Sequence, residues 1–190
     1  METLTEHPLN LKNEAFKNGF ILAAVSLVLF LVTNYVFPEH MGSTWLSTFG
    51  MLISIALAVF FCIDMRKKAG GYWTFSEALR HIFIMLLISA GIVYVFTILF
   101  GKYIDTTYPE RMKEMIMDKT DSLLSTMGVE ESKMEEMREV QGEKLEKQFN
   151  PSFFEAIVGF GIQAIFYVIG SLIFALIFKK ERPLFPRNGE

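Results

Sequence analysis

The 190 residues are 52% hydrophobic with a mean hydropathy of +0.35, against about 45–50% apolar for an average soluble domain. A net charge of −3 supplies no basic stripe and excludes a broad electrostatic case for nucleic acid. The one cysteine, Cys62, excludes an intramolecular disulfide, lacks the spaced partners of a zinc site, and reads as a small buried apolar residue.

In chain order, residues 1–19 form a polar segment of mixed charge. They lack the short apolar core and small-residue cleavage site of a signal peptide, so this segment is expected to stay on the cytoplasmic side. Residues 20–37 then contain no Asp, Glu, Lys or Arg. Three more apolar blocks lie at 45–63, 81–100 and 153–178, the last with a single acid, Glu155, near its start. Each has the roughly 17–25 residues that a helix needs to cross the hydrocarbon core, and each is apolar around its circumference, unlike an amphipathic surface helix. The expected fold is therefore all-α, an integral membrane bundle of four transmembrane helices. Pro38 suits the end of the first span and Pro151 the first turn of the fourth. Trp45, Trp73, Tyr103 and Tyr108 fall near the expected membrane–water borders.

Between the first two spans, 38–44 holds no Lys or Arg. The second connection carries Arg66, Lys67, Lys68 and Arg80, and the basic tail at 179–190 carries Lys179, Lys180, Arg182 and Arg187. The positive-inside rule puts both basic segments, and so both termini, in the cytoplasm of a bacterial inner membrane. The second connection ends in Gly70-Gly71-Tyr72-Trp73-Thr74-Phe75-Ser76-Glu77-Ala78. Thr74 and Glu77 have capping-box spacing for the start of the third span. Glu77 and His81 share a helix face with Arg80 beside them. A cap with interfacial anchors explains the three residues more simply than a proton relay.

Residues 101–152 are expected to lie outside as a charged helical loop. They hold eight Lys or Arg and twelve Asp or Glu, and long loops translocate with less regard to charge. Good helix formers dominate 109–127, Gly128 breaks the pattern, and 130–149 resumes it, predicting an extramembrane helical hairpin between the third and fourth spans. Six of the eleven methionines lie here, among them Met112, Met115, Met134 and Met137. They read as a flexible packing face rather than a soft-metal site, since no His or Cys joins them. Within the fourth span, Gln163 lies close to the middle and reads as interhelical glue or a solute contact. Gly159, Gly161, Ala164, Gly170 and Ser171 suit close helix packing or self-association.

Asn13 to Gly19, the Gly-Gly-Tyr-Trp-Thr-Phe-Ser-Glu-Ala run, and Tyr103-Ile104-Asp105 opening a Met- and Glu-rich connection resemble a family of uncharacterised four-helix bacterial membrane proteins, classed as a domain of unknown function. The resemblance covers nearly the whole chain and implies a membrane location and a four-span layout, with no activity attached. No cofactor, metal or catalytic motif is expected, and the candidate functional or structural polar positions are Glu77, Arg80, His81 and Gln163. The expected partners are the lipid bilayer, an envelope protein met through 101–152, and further copies of the chain. The leading expectation is a non-enzymatic scaffold, assembly or regulatory module. A small oligomeric transporter or channel subunit is the alternative, and a lipid-acting enzyme using Glu77, Arg80 and His81 is third.

Overall fold

The structure is a computed structural model that describes residues 11–181. The first ten residues, with Arg182 and Arg187 of the tail, lie outside the described residues. The fold is helical: α1 (Leu11–Tyr35), a 3-10 turn (Pro38–His40), α2 (Thr44–Lys68), α3 (Phe75–Leu99) continued by a π turn (Phe100–Ile104), α4 (Tyr108–Thr126), α5 (Glu131–Phe149) and α6 (Phe153–Phe178). Among the described residues, α1, α2, α3 with its π turn, and α6 are long and apolar enough to cross a membrane.

The long helices outrun the apolar blocks. The chain is already helical at Leu11, before residue 20, and α3 starts at Phe75, not near His81. Helices start where their backbone is capped, and polar ends are tolerated there because their charges pair. Lys68, at the end of α2, bonds Asp64 one turn back at 2.8 Å and Glu14 of α1 at 2.7 Å. Glycine ends α2 and α4 by the same device. Gly70 and Gly128 take φ of +81° and +72°. Gly70 N–H donates to Lys67 and Gly71 N–H to Arg66; Gly128 donates to Ser125 and Val129 to Leu124. That paired pattern closes a helix with a left-handed residue, which glycine adopts without steric cost.

Consecutive long helices run antiparallel, so Leu11 and Glu181 sit at one end of the bundle with the 69–74 loop. The 38–43 turn and the α4–α5 hairpin sit at the other. Packing is uneven. α3 lies along both α1 and α6, and α1 against α2, whereas α2 and α6 scarcely meet. At the loop end, buried Cys62 and Met65 of α2, Trp73 of the 69–74 loop, Ile82 and Met85 of α3, and Ala175 of α6 form one core. At the hairpin end, rings take over. Phe30 meets Phe100 and Tyr108 edge-on at 5.1 and 5.5 Å, and Tyr108 meets Phe149 of α5 at 6.1 Å.

Two of the four expected border aromatics are at helix ends but inside the protein rather than on its surface. Trp45 and Tyr103 are exposed, but Trp73 is fully buried and Tyr108 nearly so. Trp73 is drawn in because its backbone pairs with Lys180, N to O at 2.7 Å and O to N at 2.8 Å. This bridge pins the loop to the end of α6. Tyr108 is drawn in by the ring cluster beneath the hairpin.

Candidate functional site

At the loop end, Thr74 begins α3 as its N-cap. Its Oγ1 accepts from Glu77 N–H at 3.4 Å, and the Glu77 carboxylate accepts from Thr74 N–H at 3.1 Å and from its hydroxyl at 2.8 Å. The sequence spacing of a capping box is realised here. The His81 imidazole turns to the Glu77 backbone carbonyl at 2.6 Å and stacks on the buried Trp73 ring at 6.2 Å. Arg80 is exposed. Glu77, Arg80 and His81 are neighbours in space, yet the Glu77 carboxylate is engaged by Thr74 and His81 by main chain. Their bonding is that of a cap and a ring stack.

Gln163 belongs to a separate place. From His81 to Tyr94, α3 climbs about 20 Å, and there a cavity of about 430 Å³ opens between α2 and α6. Ser26 of α1, Ser54 of α2, Ser89, Tyr94 and Thr97 of α3, and Gln163 and Tyr167 of α6 supply its polar lining, and Tyr108, Gln148 and Phe149 roof it. Gln163 is half-buried and within hydrogen-bonding reach of the Tyr167 hydroxyl. Tyr94 crosses the α3–α6 seam and donates to the Ala156 carbonyl at 3.1 Å. Gln163 therefore faces a cavity as well as a neighbour on its own helix. A second cavity of about 280 Å³ shares Ser26, Ser54 and Tyr108 with the first and adds Asn34, Met41 and Met112. Asn34 is buried, donates to Phe30 O at 2.8 Å, and leaves its Oδ1 without a protein partner among the described residues.

Sequence reasoning missed this constellation. Its one available signal was weak: single Ser, Thr, Tyr, Asn or Gln residues in otherwise apolar blocks, at depths that coincide once the helices alternate in direction. Asn34, buried in α1, belongs to the same overlooked set.

Above the cavity the hairpin is rooted by Asp105. Its carboxylate accepts from Thr107 N–H at 3.1 Å and from the Thr107 hydroxyl at 2.7 Å, and pairs with Arg111. The Thr107 hydroxyl first, then its N–H and the Arg111 charge, hold the Asp105 carboxyl below the ordinary range. Burial pushes the Tyr108 phenol up to about 12, partly opposed by Arg111. Tyr108 therefore stays a neutral donor near pH 7. Farther out, Arg138 bonds Asp121 at 2.8 Å and Gln141 bonds Thr120 at 3.0 Å across α4 and α5. The methionines are used for packing in part. Met115 presses on Gly42 in the 38–43 turn and Met112 lines the second cavity, while Met127 at the tip is 77% exposed. Among the described residues, no three His, Cys, Asp or Glu side chains gather as a metal site would require.

Residues 17–180 match the family described as "Protein of unknown function (DUF4199)". The chain belongs to this family. No curated protein and no solved structure matches the chain. The matched span runs from α1 to the Lys180 bridge, so it takes in both the capped loop and the roofed cavity.

Proposed function

We propose that this DUF4199 chain is a multi-pass protein of the bacterial inner membrane, with both termini in the cytoplasm. Its role is that of a non-enzymatic scaffold, assembly or regulatory module, which presents the α4–α5 hairpin to an envelope partner outside. The observation that carries this reading is the hairpin's two-sided construction. Its base is tied to α1 and the end of α3 through Asp105, Tyr108 and Phe149. Its far surface is charged and leaves Leu123, Met127, Met137 and Val140 exposed. A rigid base with an open tip suits presentation better than turnover, and Glu77 and His81 are bonded as structural groups.

The test uses Cys62→Ala with Ser125→Cys, at the end of α4. In intact cells, a membrane-impermeant maleimide should label Ser125→Cys without lysis, and cross-linking from that site should trap an extracytoplasmic protein. Labelling only after permeabilisation would reverse the orientation and move the partner to the cytoplasm. The alternative, a small oligomeric transporter subunit, draws on one observation, the polar cavity at Gln163. In a single chain this cavity is closed toward the loop end by the Met65–Met85–Ala175 core, so a through-path would have to be built by assembly. Solute movement by proteoliposomes, lost in Gln163→Leu, would favour it.

A further inference from the structure

A third cavity, of about 700 Å³, runs down the outside of the α5–α6 junction. Its upper rim carries Lys144 and Lys147 of α5, with Gln148. Its lower wall is Phe154, Val158, Ile162 and Phe166 of α6. These four rings and branched chains are 74%, 44%, 56% and 69% exposed, so this protein leaves the wall uncovered. From Phe154 to Phe166 the wall is about 18 Å long, close to half of the roughly 30 Å hydrocarbon core and thus the depth of one leaflet. Neither lysine has an acid within ion-pair distance among the described residues, where the pairs are made by Lys68, Arg111, Lys113 and Arg138. The one acid on the lining, Glu155, lies near Lys147, but its carboxylate already accepts from Ser152 N–H at 2.9 Å and from its hydroxyl at 2.7 Å. Two cations thus stand over an apolar trough one leaflet deep. Tyr94, Gln148 and Gln163 line both this groove and the inner cavity, so the two spaces adjoin.

We infer that this groove is a binding site for an anionic phospholipid of the hairpin-side leaflet, its phosphate between Lys144 and Lys147 and an acyl chain along Phe154–Phe166. The inference rests on the membrane placement proposed above. Basic pockets at the headgroup level over exposed apolar helix recognise acidic lipids through charge, and acyl contact adds area without selectivity. A zwitterionic lipid offers the same chain but no net charge to the lysine pair.

The experiment uses the full chain with Ile162→Trp, reconstituted in mixed phosphatidylcholine and phosphatidylglycerol vesicles. Either lipid carries brominated chains, and quenching is measured against the parent chain. Phosphatidylglycerol should be preferred at residue 162 by roughly thirtyfold at low salt, as two lysines near a surface supply, and the preference should shrink as salt screens them. Adding Lys144→Gln and Lys147→Gln should return the ratio to about one, whereas Lys119→Gln with Lys133→Gln, cations elsewhere on the hairpin, should leave it in place. Equal quenching by both lipids overturns the site, and so does an equal loss in the two double variants, which would assign the preference to diffuse charge. Carbonate extraction is run on the same vesicles. Retention with equal quenching removes the groove alone, while release removes the membrane placement and the groove together.

Discussion

Gly19 has no room for a side chain. A Cβ there would lie 2.8 Å from the Met85 carbonyl oxygen and 3.1 Å from Ile88 Cβ, and the first of these is backbone that cannot swing aside. Ala15, Gly19 and Ala23 recur every fourth residue on α1, and Ala15 and Ala23 are buried. This small-residue stripe lets α1 and α3 approach closely, as in membrane helix pairs generally. Gly19→Val should therefore cost about 1–3 kcal/mol, the usual range for overpacking, read as a lower detergent-denaturation midpoint. An unchanged midpoint would mean the α1–α3 seam is loose enough to part. Asp105 makes a second residue-scale claim. Its folded carboxyl lies below its unfolded value of about 3.9, so the stabilisation is complete above that value and is lost as pH falls through the lower, folded one. Hydrogen-exchange protection at residues 105–111 should stay level from about pH 7 to 5 and drop only at more acid pH. Asp105→Asn should lack the protection throughout. Wild-type protection in that variant would show that the carboxylate does not root the hairpin.

The helices themselves were legible because each carries a long signal. Apolar blocks marked four helices long and apolar enough to cross a membrane, and the Gly128 break gave two helices whose bounds fall within a residue of expectation. Glu77 as a cap was equally readable from Thr74. The same pattern, Ser152 with Glu155, closes a capping box at the start of α6, yet a lone acid at the edge of an apolar block draws attention as a charge before it is seen as a cap. Which small residues make contacts was not legible. Gly161 and Gly170 of α6 face open space, while Gly159 receives Tyr94, and the tightest seam is on α1. Composition marks where close packing is permitted, but only the neighbouring helix decides where it is used. The hairpin shows a similar division. Its visible bonds, such as Arg138 to Asp121, are surface pairs of small net effect, whereas Leu145 is its one buried α5 side chain. Leu145→Ala should lower hairpin stability by about 2–4 kcal/mol, measured by protease cutting near Gly128. Arg138→Ala should leave the cutting rate unchanged, and the reverse order would make the ion pairs the fastening.

Across the whole molecule, the two ends of the bundle are built to different standards. The loop end is closed: Cys62, Met65, Trp73, Ile82 and Met85 are fully buried, and the Trp73–Lys180 bridge ties the last helix to the loop. Toward the hairpin, α2 and α6 part, and hydroxyls and amides of Ser26, Ser54, Ser89, Thr97 and Gln163 break up a lining that is otherwise apolar, with Leu22, Leu86 and Phe174. A wholly apolar cavity stays dry, but one of this size with polar groups on its wall admits water where each molecule finds two or more partners. Ser54 borders both inner cavities, and Asn34, which lines the second, has an Oδ1 with no protein partner among the described residues. The native thiol Cys62 sits two turns farther along the same helix, inside the tight core. One helix thus samples both environments. N-ethylmaleimide should leave Cys62 of the folded wild-type protein unmodified until SDS unfolds it. In Cys62→Ala with Ser54→Cys, the same reagent should modify the new thiol while the protein remains folded. Mass spectrometry of the intact chain reads both. Inertness at position 54 would mean that the helices close over a dry seam, and reaction at Cys62 in the folded state would mean that the loop end breathes. Either result would remove the asymmetry on which a roofed, one-ended cavity depends.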